Sequence, residues 1–280
     1  MSKLTLLAVL AHPDDESFGM GGTLALYATR GVDVHLVCAT RGEVGEVAPE
    51  MLEEFGSIAK LRESELRCAA GILGLTGIHF LDYRDSGMPG SPDNSHPRAL
   101  AARPLDEVAA KVVSFIRELR PQVVLTFDPI GGYHHPDHIA IQRATVRAFE
   151  QAGNPDFAAQ GFPIYTPERL YFHKMPNGLL KFAVKFLPLI GKDPHKFGSN
   201  GDIDLVSVAE VNFPTHARIN IRSVMKKKDQ AGACHASQGG GRLGGGIVSL
   251  VIRLFNGTES FMRAFPPVVK GERVAKDLFA

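Results

Sequence analysis

The chain has 280 residues, 44% of them hydrophobic, and its 31 basic residues are set against 30 acidic ones for a formal charge of +1. That length and apolar content allow one domain with a sizeable core, while the balanced charge gives no electrostatic case for nucleic acid or an anionic membrane surface. No apolar run reaches the ~20 residues needed to cross a bilayer, so small molecules are the expected partners and the cytoplasm the expected compartment.

Cys38, Cys68 and Cys234 are odd in number, far apart, and include no Cys-x-x-Cys pair. Neither a disulfide framework nor a cysteine zinc site is expected, and a reducing compartment is the simpler reading. Met1 to Ala11 resembles a weak signal peptide. Cleavage after Ala11 would strip the first strand from the polar cluster that follows it, so the segment is read as part of the fold.

Leu4 to Leu10 is an apolar run that reads as a buried strand, and Ala11-His12-Pro13-Asp14-Asp15-Glu16 follows it directly. Gly19 to Thr29 suits a helix stopped by Gly31. Val32 to Thr40 is a second strand running into the polar loop Arg41-Gly42-Glu43-Val44-Gly45-Glu46, and Ile58 to Leu73 is an amphipathic helix ended by Gly74. A short strand at Ile78 to Leu81, a turn-rich loop to about Pro104, a helix at Leu105 to Leu119 and a strand at Gln122 to Phe127 come next. A second cluster, His134-His135-Pro136-Asp137-His138, follows that fourth strand, and Arg169 to His173 reads as a fifth.

Strands alternating with helices at this spacing imply βαβ units. The expected fold class is α/β, a Rossmann-like three-layer α/β/α sandwich with a mostly parallel sheet and an irregular C-terminal extension. Residues 1–175 form the catalytic core in this reading, and 176–280 the C-terminal part of the same domain. Within that part, Leu179 to Ile190 is apolar and suits a packed surface helix or a homo-oligomer contact. Ala217 to Ile221 alternates like a strand, Ser223 to about Ala233 reads as a helix, and Ser237 to Gly246, with six glycines, reads as a flexible loop.

In open α/β sheets ligands sit at the carboxyl ends of strands, which is where both polar clusters fall. Catalytic zinc commonly takes three protein ligands and leaves room for water. His12, Asp15 and His138 supply such a set, with ferrous iron also suited to two imidazoles and a carboxylate. Asp14, adjacent but not needed as a ligand, is placed to act as base. His135 is the candidate positively charged donor to a developing oxyanion, with Asp137 holding its ring and raising its pKa. Either cluster alone could be a turn or a helix cap; the pair at two strand ends favours a metal. A dinucleotide site would need Gly-x-Gly-x-x-Gly after the first strand, where His12 to Glu16 stand instead.

These motifs resemble the LmbE-like, or PIG-L, family of metal-dependent N-acetylglucosaminide deacetylases, which carries Ala-His-Pro-Asp-Asp-Glu after its first strand and His-Pro-Asp-His after its fourth. The likeness continues through Thr40-Arg41-Gly42-Glu43, Arg62 with Glu65-Leu66, and Arg84-Asp85-Ser86-Gly87-Met88. It resumes at Lys228, Ala231, His235 and Ser237-Gln238. The resemblance implies hydrolysis of an N-acetyl group from an N-acetylglucosamine-containing small molecule, with His12, Asp15 and His138 on a zinc ion, Asp14 as general base and His135, oriented by Asp137, at the oxyanion. It also implies a place for Tyr133 near the reacting acetyl group and substrate contacts for Arg62 and Asp85. The plainer readings are that Tyr133 packs on its loop, that Arg62 pairs with Glu65, that Asp85 caps a turn and that His235 is a packed histidine. His134 reads as a solvent-facing neighbour and His35 as structural. A related conjugate as amide substrate, or a binding module without turnover, are the alternatives to the deacetylase.

Overall fold

The computed structural model of the chain describes residues 3–157, 161–174, 177–196, 201, 203–241 and 257–280. Five strands and the helices between them come in the expected order. They are β1 (Thr5–Leu10), α1 (Asp15–Phe18), α2 (Gly21–Thr29), β2 (Asp33–Cys38), α3 (Ile58–Leu73), β3 (Gly77–Phe80), α4 (Leu105–Leu119), β4 (Val123–Phe127), α5 (Gly131–His134), α6 (Pro136–Gln151) and β5 (Arg169–Lys174). The helices α7 (Asn177–Phe186) and α8 (Leu205–Glu210) follow, then β6 (Ala217–Asn220), α9 (Met225–Cys234) and β7 (Thr258–Phe265).

Local chemistry sets these boundaries. Ser57 accepts the Lys60 N–H to open α3, and Gly74, at φ +81°, closes it in a conformation that suits glycine. In α4 the stripe Val108, Val112, Val113 and Ile116 is buried at helical spacing. Every residue of β1 is buried because the strand lies inside the sheet, parallel to both β2 and β4.

The strand order is β3-β2-β1-β4-β5-β7-β6. Chain direction across the sheet therefore reverses between β1 and β4, which opens a crevice at their carboxyl ends. Helices pack as two groups, α4 with α6 and α3 with α9 and α2. The right-handed rule for crossovers puts these groups on opposite faces.

The C-terminal part is more regular than expected. β7 pairs antiparallel with β5, and β6 antiparallel with β7, so residues beyond 176 complete the sheet rather than trail from it. Leu180, Leu205, Val208 and Ala209 form a small separate core with Ile130 and Tyr133 packed against it. The segment expected to be a surface helix thus leans on the loop that carries the second cluster. The glycine-rich stretch is described as far as Gly241; its remainder to Gly246 lies outside the described residues. Among the described residues no helix is long and apolar enough to cross a membrane.

One expectation is overturned. Cys68 on α3 and Cys234 at the end of α9 are joined in a disulfide with Cα atoms 5.9 Å apart, across a sequence separation of 166, and Cys38 is the free, buried thiol. Distance along the chain hid a proximity created by packing α9 on α3. Closing so long a loop removes conformational freedom from the unfolded chain, worth about 2–5 kcal/mol. Cys68→Ser is expected to lower Tm by roughly 5–10 °C and to leave two alkylatable thiols in the denatured, unreduced variant against one in the wild type. Three alkylatable thiols in the unreduced wild type, with no change of Tm in the variant, would contradict this.

Candidate active site

Both polar clusters lie at the β1/β4 crevice. The chain leaves β1 through Ala11 and His12 into α1, and leaves β4 through Asp128, whose carboxylate accepts the N–H groups of Ile130 and Gly132 and turns the backbone back towards the sheet. Gly131 sits at φ +63°, and a Cβ on it would come 2.8 Å from the His138 Cβ. A larger residue would push α6 away from the crevice. His135 is the N-cap of α6, with its Nδ1 accepting the Asp137 N–H and Pro136 next in line. Capping and site formation are therefore one arrangement here, and His135 rather than Asp137 performs the cap.

His12, Asp15 and His138 converge. His12 Nδ1 faces His138 Nε2 at 3.2 Å, Asp15 Oδ1 lies 3.3 Å from His138 Nε2, and Asp15 Oδ2 lies 3.7 Å from His12 Nδ1. Two ligands about 2.0–2.2 Å from one tetrahedral ion stand about 3.3–3.5 Å apart, a spacing close to that of the His12–His138 and His138–Asp15 pairs, with Asp15 Oδ2 slightly wider of His12; ligand atoms of His12, His135 and His138 also lie within 4.8 Å of one another. The outer partners fix which nitrogens are free. His12 turns Nε2 to Asp137 Oδ2 at 3.2 Å and to Asp85 Oδ1 at 3.5 Å, and His138 turns Nδ1 to the Gly131 carbonyl at 3.1 Å. With protons on those outer atoms, two imidazole lone pairs point at each other, an arrangement that a cation between them satisfies. Phe127 stacks on the His138 ring at 3.9 Å and fixes its plane.

Ligand atoms of His12, Asp85 and Asp137 also gather within 4.8 Å of one another. Those carboxylates are already occupied. Asp137 accepts from Ser86 N–H and Ser86 Oγ–H, and Asp85 from Gly87 N–H at 2.8 Å and Val44 N–H at 3.3 Å. They act as supports of His12, which corrects one expectation. The Asp137 carboxylate holds His12 and not His135. Asp85, 4% exposed, closes a turn onto Gly87 and lies 3.5 Å from His12 Nε2.

Electrostatics follow from burial and these contacts. His12 is buried, which opposes charge, yet Asp85 and Asp137 outweigh that and raise its pKa. Burial and the neighbouring His12 lower that of His138. His135 is lowered by burial and by both other imidazoles, so the expected cationic donor is a neutral ring with its proton on Nε2. Burial pushes Asp14 up to about 7 despite Arg62, and Asp15 up to about 6 despite His12.

Arg62 pairs with Asp14 rather than with Glu65. Its Nη2 donates to Asp14 Oδ2 at 3.0 Å and to the Pro13 carbonyl at 2.6 Å, while Nη1 donates to the Gly42 carbonyl. Only 4% of it is exposed, and it lies under the loop after β2: a Cβ on Gly42, at φ +64°, would fall 2.0 Å from Nη1. Glu65 instead binds the Ser237 N–H and hydroxyl. Tyr133 stands edge-on to His138 and His135, with ring centroids 5.0 and 5.9 Å away. His134 is half-buried and outside the cluster, and His35 meets His79 on the next strand.

Sequence reasoning passed over Glu16 and Ser86, although both stand inside the motifs it used. Glu16 is fully buried and bonded to His235, and Ser86 binds both oxygens of Asp137. A glutamate directly after the ligand loop was the available signal for the first.

The comparisons with known proteins agree with this geometry. The family described as PIG-L, GlcNAc-PI de-N-acetylase, matches residues 7–149. A 1D-myo-inositol 2-acetamido-2-deoxy-alpha-D-glucopyranoside deacetylase from Geodermatophilus obscurus is 38% identical over 83% of this chain and 82% of its own. Among solved structures, N,N'-diacetylchitobiose deacetylase from Pyrococcus horikoshii superposes with a TM-score of 0.63 at 20% identity, covering 95% of this chain and 87% of that one. GalB, a 4-carboxy-2-hydroxymuconate hydratase from Pseudomonas putida, superposes at 0.61 and 20% identity over 96% and 99%. One fold thus carries both a deacetylase and a hydratase, so the structural likeness speaks for architecture alone. The match in sequence goes further, since it covers both polar clusters, and by it the chain belongs to the PIG-L family.

Proposed function

We propose that the protein is a metal-dependent N-deacetylase that hydrolyses the acetamido group of an N-acetylglucosamine-containing small molecule, with zinc as its ion. The observation that carries this is the face-to-face pair His12 Nδ1 and His138 Nε2 with Asp15 beside them and Asp14 next along the chain. Two imidazoles and one carboxylate suit zinc, and ferrous iron fits the same set. The name of the Geodermatophilus relative supports an acetylated glucosaminyl-inositol as the substrate class.

A divalent cation held by His12, Asp15 and His138 supplies Lewis acidity at the amide carbonyl and lowers the pKa of water. The chain's own groups do the rest. Arg62 engages Asp14 Oδ2, which leaves Oδ1 to take a proton from the attacking water. His135, kept neutral by burial, donates its Nε2–H to the oxygen on which negative charge develops. As the C–N bond breaks, the proton gained by Asp14 passes to the leaving nitrogen, giving acetate and a free amine. Tyr133, beside His135 and His138 and backed by the α7–α8 core, contributes to the wall against which the acetyl group packs.

The experiment is acetate release from a panel of N-acetylglucosaminides, an inositol glycoside among them, with and without chelator. Release that chelator stops and added zinc restores is the expected result. A chain that binds one metal ion and releases acetate from no member of the panel would be a binding module instead.

A further inference from the structure

Asp14 is held in a backbone conformation that an aspartate does not adopt unaided. Its φ is +119° and its ψ −31°, in a region that disfavours residues with a Cβ. Such a conformation persists only where neighbouring bonds over-determine it, and here the Asp14 N–H donates to Glu16 Oε2 at 3.0 Å. A glutamate side chain can rotate, so this bond is only as rigid as the carboxylate that accepts it. Glu16 Oε1 is fixed in turn by the Ser17 hydroxyl at 2.5 Å and by His235 Nε2 at 2.7 Å.

Among the described residues the His235 ring has no other hydrogen-bond partner. Both side chains of the pair are 0% exposed, and His235 Nδ1 is buried without a hydrogen bond. What presents the ring is stiff. His235 directly follows Cys234, whose disulfide ties α9 to α3, and two residues on Ser237 is held by Glu65 of α3. Phe18 packs edge-on against the imidazole at 5.9 Å.

We propose that His235 is a positioning residue for the reaction: by locking the Glu16 carboxylate it fixes the Asp14 backbone and so aims the Asp14 carboxylate. This rests on the reading of Asp14 as the base. His235 touches no reacting atom.

The amide nitrogen of a glutamine overlies histidine Nε2, whereas that of an asparagine overlies Nδ1. His235→Gln therefore keeps the bond to Glu16 and His235→Asn loses it, at similar polarity. The expected result is a kcat lowered about 10- to 100-fold in His235→Asn with KM within about twofold, and restoration to within about threefold of wild type in His235→Gln. Both variants keep one metal ion per chain. In metal-free protein, hydrogen exchange at the Asp14 amide speeds about tenfold or more in His235→Asn and stays near wild type in His235→Gln. Equal kcat and equal Asp14 exchange in the two variants would overturn the proposal. A fall in kcat accompanied by matching loss of metal would reduce His235 to a structural role and overturn it as well. Should His235→Asn not fold, Glu16→Met serves in its place: its side chain accepts neither from the Asp14 N–H nor from His235, so wild-type kcat there overturns the proposal. Asp14→Asn in parallel separates the two readings. Full activity in that variant removes the base, while an inactive Asp14→Asn beside an unaffected His235→Asn removes only the positioning.

Discussion

Asp14→Asn is expected to keep its metal ion and lose about 10³-fold in kcat, the midrange of what a general base contributes. The substitution is isosteric, and the backbone bond from residue 14 to Glu16 does not depend on the side chain. His12, Asp15 and His138 are untouched, so metal content measured on the purified variant should match wild type. The carboxylate is needed ionised, and burial raises its pKa to about 7 even with Arg62 beside it. In the wild type kcat/KM should therefore rise with pH and level off at or below pH 7, since a bound cation favours the ionised form and moves the limb towards acid. That limb should be absent from the residual activity of the variant. Wild-type turnover in Asp14→Asn, or an acid limb that survives the substitution, would take the base role from this residue.

Much of this was legible in the sequence because both clusters are local. His12 to Asp15 are four residues at the end of one apolar run, and His135 to His138 are four at the end of another; alternating strands and helices are enough to send both to the same edge of a parallel sheet. The long helices α3 and α4 were readable to the residue, because each has a full apolar stripe and a stop signal after it, Gly74 for α3 and Pro121 for α4. What stayed hidden depends on which side chain meets which across the chain. The Asp137 carboxylate turns to His12, 125 residues away, because Asp137 sits in the first turn of α6 with Ser86 on its other side. No local pattern encodes that choice. Arg62 reaches Asp14 because the loop after β2 lets the guanidinium pass under Gly42, and the same placement leaves Glu65 free for Ser237. β7 escaped notice because only Glu259 and Phe261 of its eight residues are buried, too few for an apolar alternation. Glu259 is spent on the N–H groups of Gly22 and Thr23 at the start of α2 and on Lys228, which ties the last strand to the helix behind the first cluster.

Chelation should abolish acetate release and lower Tm, and the loss of Tm should be larger at pH 8 than at pH 5. Without a cation, Asp14 and Asp15 have folded pKa values of about 7 and about 6, against an ordinary aspartate value of 3.8. The folded chain then holds protons that the unfolded chain has lost, so stability falls as pH rises from about 4 through about 7. His12 acts in the same sense. Its pKa is raised by Asp85 and Asp137, so its contribution is present below 6.5 and is lost as pH climbs through the folded value. His138, with a lowered pKa, works the other way, but only below 6.5, where the unfolded imidazole is charged and the folded one is not. Between pH 6.5 and 8 the metal-free chain therefore becomes less stable, because the site crowds carboxylates whose charge nothing nearby fully balances. A divalent cation binds those ionised carboxylates and neutral imidazoles and displaces the protons that compete with it, so its affinity and its stabilisation grow with pH over the same interval. Thermal melts of loaded and chelated protein at pH 5, 6.5 and 8 measure the difference directly. A Tm gap that is constant across the three, or that narrows towards pH 8, would mean that His12, Asp15 and His138 do not share the ion, because an ion held by them must displace their protons.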